Sequence, residues 1–290
     1  MMGAEEARYR DGYLVVRDGL KLHYRDYPGS SDKPPLLCLH GLTRNARDFA
    51  DFAERYSPRF RVIALEFRGR GMSEHDPLPA RYNPLTYVGD VIELLDGLEI
   101  DRAIFVGTSL GGLVTMAIAA MAPQRIAAAI LNDVGPELNQ AGLNRIQAYV
   151  GKGERFGSWG EAALAIERNQ KGAFPNYRAE DWLATAHRHC REEDDRIVFD
   201  YDPAIAQVFE TATATPKVDM WPLFLALAQK PLLIVRGGLS ELFSPETARK
   251  MRDAAPGVEF VEVAGVGHAP MLDEPEAIAA IDGFLDATAR

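Results

Sequence analysis

Cysteine is almost absent from this chain, with two in 290 residues, so no disulfide framework holds the fold together. Cys38 also sits in an apolar run that reads as a buried strand, which fits a reducing, cytoplasmic setting. No run of about 18 apolar residues exists to cross a bilayer, and Met1 to Asp18 mixes charges throughout with no apolar signal core; a membrane is not an expected partner. Basic residues are outnumbered: 32 Lys and Arg against 42 Asp and Glu leave a net charge of −10. They are interleaved with acids everywhere, so nothing would neutralise a row of phosphates and nucleic acid is excluded as a partner. Internal repeats and low-complexity tracts are missing too. What is present is 47% hydrophobic and 26% charged residues, a globular composition long enough for one large core or a core plus a small extra domain.

Along the first half, short apolar runs alternate with helical patterns. Tyr13 to Arg17 and Leu20 to Tyr27 flank Asp18-Gly19, a hairpin turn signal. Pro35 to Leu39, Arg61 to Glu66, Ala103 to Val106 and Ile126 to Leu131 follow as strand-length apolar runs. Ala46 to Arg55, Thr86 to Leu98 and Leu110 to Met121 lie between them with helical periodicity. The rhythm returns in strand-like Pro231 to Arg236 and Val258 to Val263, with helices over Pro245 to Ala255 and Glu274 to Leu285. Continuous apolar strands separated by helices predict a parallel sheet covered on both faces. Between Gly135 and about Pro216 the pattern holds only helices, loops and many aromatics, so residues 135–216 are expected to form an all-helical cap over a core made of 1–134 and 217–290. Thr211 to Pro216 reads as the return linker.

The sharpest motif is Gly107-Thr108-Ser109-Leu110-Gly111, set between an apolar strand and an apolar helix. That is the context of a nucleophile elbow, in which a tight turn lifts the serine hydroxyl above the sheet edge. A serine nucleophile needs a base. Of six histidines, His23 lies in the early hairpin, His75 in a polar loop, and His187 and His189 at i, i+2 on a cap helix, pointing apart and unsuited to a shared metal. His40, beside Gly41, is expected to bond loop backbone. His268, in the glycine-lined loop after Val263, is the expected base. A carboxylate should orient it. Glu241, in the loop after Leu232 to Val235, is the first choice, and Asp133, after Ile126 to Leu131, is the alternative. The oxyanion donors are expected from the backbone amides of Leu42 and Leu110. Trp159, Trp182 and Tyr201 are the expected apolar pocket residues of the cap.

Ser109, Glu241 or Asp133, and His268 in that set, with His40-Gly41 and Gly69-Arg70-Gly71-Met72-Ser73, resemble the α/β-hydrolase superfamily over nearly the whole chain. The resemblance implies an eight-stranded, mostly parallel sheet with flanking helices and a cap insertion, a site at the strand C-termini under the cap, and an acyl-enzyme mechanism without cofactor or metal. Two positions depart from the family pattern: Glu241 and Glu66 stand where Asp is usual. Serine at the elbow disfavours haloalkane dehalogenases and epoxide hydrolases, which use Asp there. The segment His40 to Asn45 lacks the Gly-rich loop usual in carbon–carbon bond hydrolases. A small or medium-sized ester, thioester or lactone is therefore the expected small-molecule substrate. A carbon–carbon bond hydrolase or lyase of the same fold, or a non-catalytic small-ligand receptor, is the alternative.

Overall fold

A computed structural model describes residues 8–207 and 218–288. Eight strands form one sheet: β1 (Arg10–Val15), β2 (Lys21–Tyr27), β3 (Leu36–Leu39), β4 (Val62–Leu65), β5 (Ala103–Thr108), β6 (Ile126–Asn132), β10 (Leu232–Gly237) and β11 (Glu259–Val263). Their spatial order is β1-β2-β4-β3-β5-β6-β10-β11. Only the pairings of β2 with β1 and β4 are antiparallel, and the rest are parallel. The apolar runs are continuous because both faces are covered: in β3, Leu37 and Leu39 join one core while Leu36 and Cys38 join the other.

The first core is closed by α2 (Pro84–Gly97), α3 (Leu110–Met121), α7 (Trp221–Leu227) and α8 (Pro245–Ala254). The second is closed by α1 (Ala50–Tyr56) and α9 (Pro275–Thr288), through Phe52, Tyr56, Ile281 and Phe284. α1 is entered through a short 3-10 turn, Ala46–Phe49, capped by the Asn45 side chain on the Arg47 amide.

The segment after β6 holds α4 (Gln140–Tyr149), α5 (Trp159–Gln170) and α6 (Ala179–His189). It is not all-helical, contrary to the sequence expectation. β7 (Arg155–Phe156), β8 (Cys190–Glu193) and β9 (Arg196–Phe199) make a small antiparallel sheet in the order β7-β9-β8. The hairpin joining β8 to β9 turns at Asp194-Asp195, both in left-handed backbone, the two-residue turn that matches strand twist. A third apolar cluster, with Ile166, Phe174, Trp182 and Ile197, gives this segment its own interior. The expected boundary at 216/217 and the linker Thr211 to Pro216 lie outside the described residues.

Polar contacts bind this segment to the core. Arg47 donates from Nε to the Arg188 carbonyl at 2.8 Å and from Nη2 to Asp200 at 2.6 Å. Asn45 donates to the Arg188 carbonyl at 3.0 Å, and the Gly71 amide donates to the Asp200 carbonyl at 3.0 Å. No helix among the described residues is long and apolar enough to cross a membrane.

Candidate active site

β5 ends in the Gly107-Thr108-Ser109 turn, and α3 begins at the next residue. Ser109 has φ +51°, a left-handed conformation that costs a non-glycine residue about 1–3 kcal/mol and persists where the surroundings impose it. Here they do. A Cβ on Gly107 would stand 2.7 Å from the carbonyl carbon of Gly111, and one on Gly111 would collide with the Leu39 carbonyl oxygen. Bare glycines therefore let α3 start directly against β5 and β3, and the turn delivers Ser109 to the C-terminal edge of the sheet.

Ser109, His268 and Asp133 form one hydrogen-bonded chain. His268 Nε2 lies 3.0 Å from Ser109 Oγ, and Nδ1 lies 2.7 Å from Asp133 Oδ2. Asp133 is fully buried and accepts two more hydrogen bonds: the Ser240 hydroxyl donates to Oδ2 at 2.6 Å and the Gly237 amide to Oδ1 at 2.8 Å. A carboxylate is acceptor only, so Nδ1 carries the proton of neutral His268 and Nε2 is left to accept from Ser109.

Glu241, the first-choice acid, does not reach His268. Its carboxylate lies 2.7 Å from Arg145 of α4, with the Glu side chain 53% exposed. The reason is the sheet. β6 and β10 are parallel neighbours, with Asn132 level with Val235, so the residue after β6 and the loop after β10 open onto the same spot. Asp133, in left-handed backbone at φ +56°, takes that place, and the β10 loop supplies donors to it. Ser240, which sequence reasoning missed, also accepts from the Phe243 amide at 3.1 Å. Arg236 braces the same loop, donating to the Phe243 carbonyl at 2.9 Å.

The His268 loop is held from both sides. Asn132 donates to the Pro270 carbonyl at 2.8 Å, and the Gly267 amide donates to the Ala173 carbonyl at 2.6 Å. His40 is wholly buried, and burial pushes its pKa down to about 4, so it is neutral. Its Nδ1 donates to the Gly41 carbonyl at 2.7 Å and its Nε2 accepts from the Phe67 amide at 3.1 Å. Gly41 and Leu42 line the cavity at Ser109, and Leu110 is the first residue of α3, so its amide has no carbonyl one turn earlier in the helix to bond.

The cavity above Ser109 and His268 differs from the expected aromatic one. Trp182 is buried in the third apolar cluster, and Trp159 packs on His187 with ring centroids 4.1 Å apart. Tyr201 does not line the main cavity but lines a small side cavity that shares Thr43, Arg44, Tyr149, Asn169 and Gln170 with it. His75 is half exposed, and His189 is buried against Arg44 and Asp48.

The chain matches the model of the Alpha/beta hydrolase family over residues 36–281. It is 33% identical over 273 residues to a 3-hydroxybutyrate-oligomer hydrolase of Cupriavidus necator, covering 91% of this chain and 92% of that protein. It is 30% identical over 256 residues to a 2-(acetamidomethylene)succinate hydrolase of Mesorhizobium japonicum, covering 88% of each. Among solved structures, an alpha/beta hydrolase from Novosphingobium aromaticivorans superposes with a TM-score of 0.92 at 50% identity, covering 97% of this chain and 99% of that one.

Proposed function

Because the chain belongs to the Alpha/beta hydrolase family, we propose that it is a serine hydrolase cleaving a short carboxylic ester of a small molecule through an acyl-enzyme. The observation that carries this reading is the unbroken chain from Ser109 Oγ through His268 to Asp133 at the mouth of the sheet. An oligomer of a hydroxy acid is joined by ester bonds, so the name of the Cupriavidus relative supports an ester in preference to a carbon–carbon bond.

In this mechanism Ser109 Oγ attacks the acyl carbon as its proton passes to His268 Nε2. Asp133 stabilises the imidazolium through Nδ1–H and is never itself protonated. The amides of Leu42 and Leu110 hold the oxyanion, each worth about 10²- to 10³-fold in kcat. The imidazolium then gives its proton to the leaving alcohol oxygen. Water attacks the acyl-enzyme, His268 takes the water proton and returns it to Ser109, and the carboxylic acid leaves.

His40 supports the oxyanion donor indirectly. With the Gly41 carbonyl committed to His40 Nδ1–H and to the Arg44 amide, the trans peptide sends the Leu42 N–H the opposite way. Arg70 secures the other side of Leu42, donating to its carbonyl at 2.9 Å. Residues 135–207 serve as the cap of this site, with α4 and α5 as its near walls.

A serine-directed organophosphonate tests the assignment. One adduct per chain, mapped to the peptide containing Ser109 and absent in Ser109→Ala, is the expected result. Labelling elsewhere, or none in a preparation that hydrolyses p-nitrophenyl acetate, would overturn it.

A further inference from the structure

The cavity wall facing Ser109 is built for charge. From the loop after β3 it presents Thr43 and Arg44, from α4 Arg145 and Tyr149, and from the end of α5 Asn169 and Gln170. Two guanidinium groups in the cavity of a hydrolytic serine suit an anionic substrate better than an apolar acyl chain, which would cover them and displace their water without offering either one a hydrogen bond of its own. Arg44, Arg145 and Tyr149 line this one cavity, and while burial raises the pKa of the Tyr149 phenol, the positive charges of both arginines act on it in the opposite sense.

The two arginines differ in how firmly they are held. Arg44 is nearly buried, contacting Asp48 at 3.4 Å and His189 Nε2. Asp48 is itself fixed against His189 and cannot leave without stranding a charge. Among the described residues Arg145 is paired with Glu241 alone, in a pair whose side chains are 32% and 53% exposed. An ion pair so open to water is weak, and Glu241 can turn out to solvent at little cost. The rest of the loop stays put, because the Asn139 amide donates to the Leu242 carbonyl at 2.9 Å and Gly142 packs on the Leu242 backbone. Turning Glu241 out would leave the wall with Arg44 and Arg145 against Asp48 alone.

Resting on the ester-hydrolase reading above, we propose that Arg44 and Arg145 form a carboxylate clamp, so that the substrate is an acidic ester carrying a free carboxylate away from its scissile bond. Glu241 occupies Arg145 until the substrate carboxylate displaces it. An arginine fork suits this, since its parallel N–H groups match a carboxylate in both distance and plane. The clamp assigns Glu241 a specificity role in place of the catalytic one that its sequence position suggests.

The test compares kcat/KM for mono-p-nitrophenyl glutarate with that for p-nitrophenyl valerate, matched in length and differing in the terminal carboxylate. Using the ratio cancels any loss from folding. In Arg145→Gln the ratio of acidic to neutral ester falls at least about tenfold, the size expected for losing a charged hydrogen-bond partner. In Glu241→Gln it rises, because Arg145 no longer has a competitor. A ratio that moves less than about twofold in Arg145→Gln, or that moves the same way in both variants, overturns the clamp. Calorimetry of monomethyl glutarate on Ser109→Ala gives an independent arm: binding is expected there and lost in Ser109→Ala/Arg145→Gln, and absence of binding in the single variant overturns the clamp. Failure to turn over either ester would refute the hydrolase reading, while the calorimetric arm still decides the clamp.

Discussion

At the scale of single residues, the site turns on which carboxylate faces His268. Glu241 sits where the family pattern puts an acid, in Arg236-Gly-Gly-Leu-Ser-Glu241, and its sequence neighbourhood says nothing of Arg145 on a distant helix. Asp133 follows a strand whose register against β10 is a tertiary fact, invisible in a local window. Ser109 and His268 were legible because each lies in a glycine-marked turn next to a strand. Replacing Asp133 with Asn keeps the shape, but its amide group can present an N–H towards His268 and favour the wrong tautomer; kcat is expected to fall about 10²- to 10⁴-fold with KM little changed. Glu241→Gln should cost less than about tenfold in kcat on a neutral ester. Ser240→Ala removes one of three donors to Asp133 and should fall between the two. Steady-state kinetics of the three variants with p-nitrophenyl acetate check this order, and a larger loss in Glu241→Gln than in Asp133→Asn would reverse the assignment.

At the scale of elements, the core strands and α3 were readable because burial on both faces writes a continuous apolar run and the elbow glycines mark the end of β5. The small β7-β9-β8 sheet was not. Cys190–Glu193 is mostly charged, half-exposed and only four residues long, so no alternation develops, and only the Asp194-Asp195 turn hints at the hairpin. The junction of β5 with α3 carries its own prediction. At Gly107 the obstacles to a side chain are all backbone atoms of Gly111 and Gly112, which no rotamer change can move. Gly107→Ala is therefore expected to destabilise the fold by about 1–3 kcal/mol, the usual cost of overpacking. It should also displace Ser109 enough to lower kcat. Urea midpoints and p-nitrophenyl acetate kinetics on the same preparation check both, and a variant as stable and active as the parent would show that α3 can retreat from β5.

At the scale of the whole molecule, two histidines are folded in as neutral groups, and they tie stability to pH. His40 is buried beneath the Gly41-Leu42 loop; His189 is buried where the end of α6 meets Arg44 and Asp48. Burial is the larger cause in both, with Arg44 adding to it at His189, and both are pushed down to about 4 from an ordinary 6.5. Between those values the unfolded chain binds a proton at each site and the native chain does not. Stability therefore rises with pH across that window, and on acidification from pH 6.5 towards 4 it is lost at up to about 1.4 kcal/mol per pH unit for each histidine. His23 works in the other direction. Burial alone would lower its pKa, but the bonds and charges of Glu66 and Asp11 outweigh it and raise the value. Its contribution is complete below 6.5 and is lost as pH rises through its folded value, so it adds little slope within the acid window. Glu66 and Asp48, held below their ordinary carboxylate values against the burial that would raise them, begin to lose stability only as pH approaches 4.5 and 3.8. Asp90, Asp200, Asp273 and Glu274, whose pKa values burial raises, oppose this loss at the acid end, so the histidines' share of the fall in urea midpoints from pH 7 to 6 and 5 is isolated by substitution. In His189→Asn the fall should flatten by about one proton's worth, whatever the variant loses in absolute stability, because the slope counts only titrating groups. An unchanged slope in that variant would mean that His189 stays protonated in the native protein, with its charge shared between Asp48 and water.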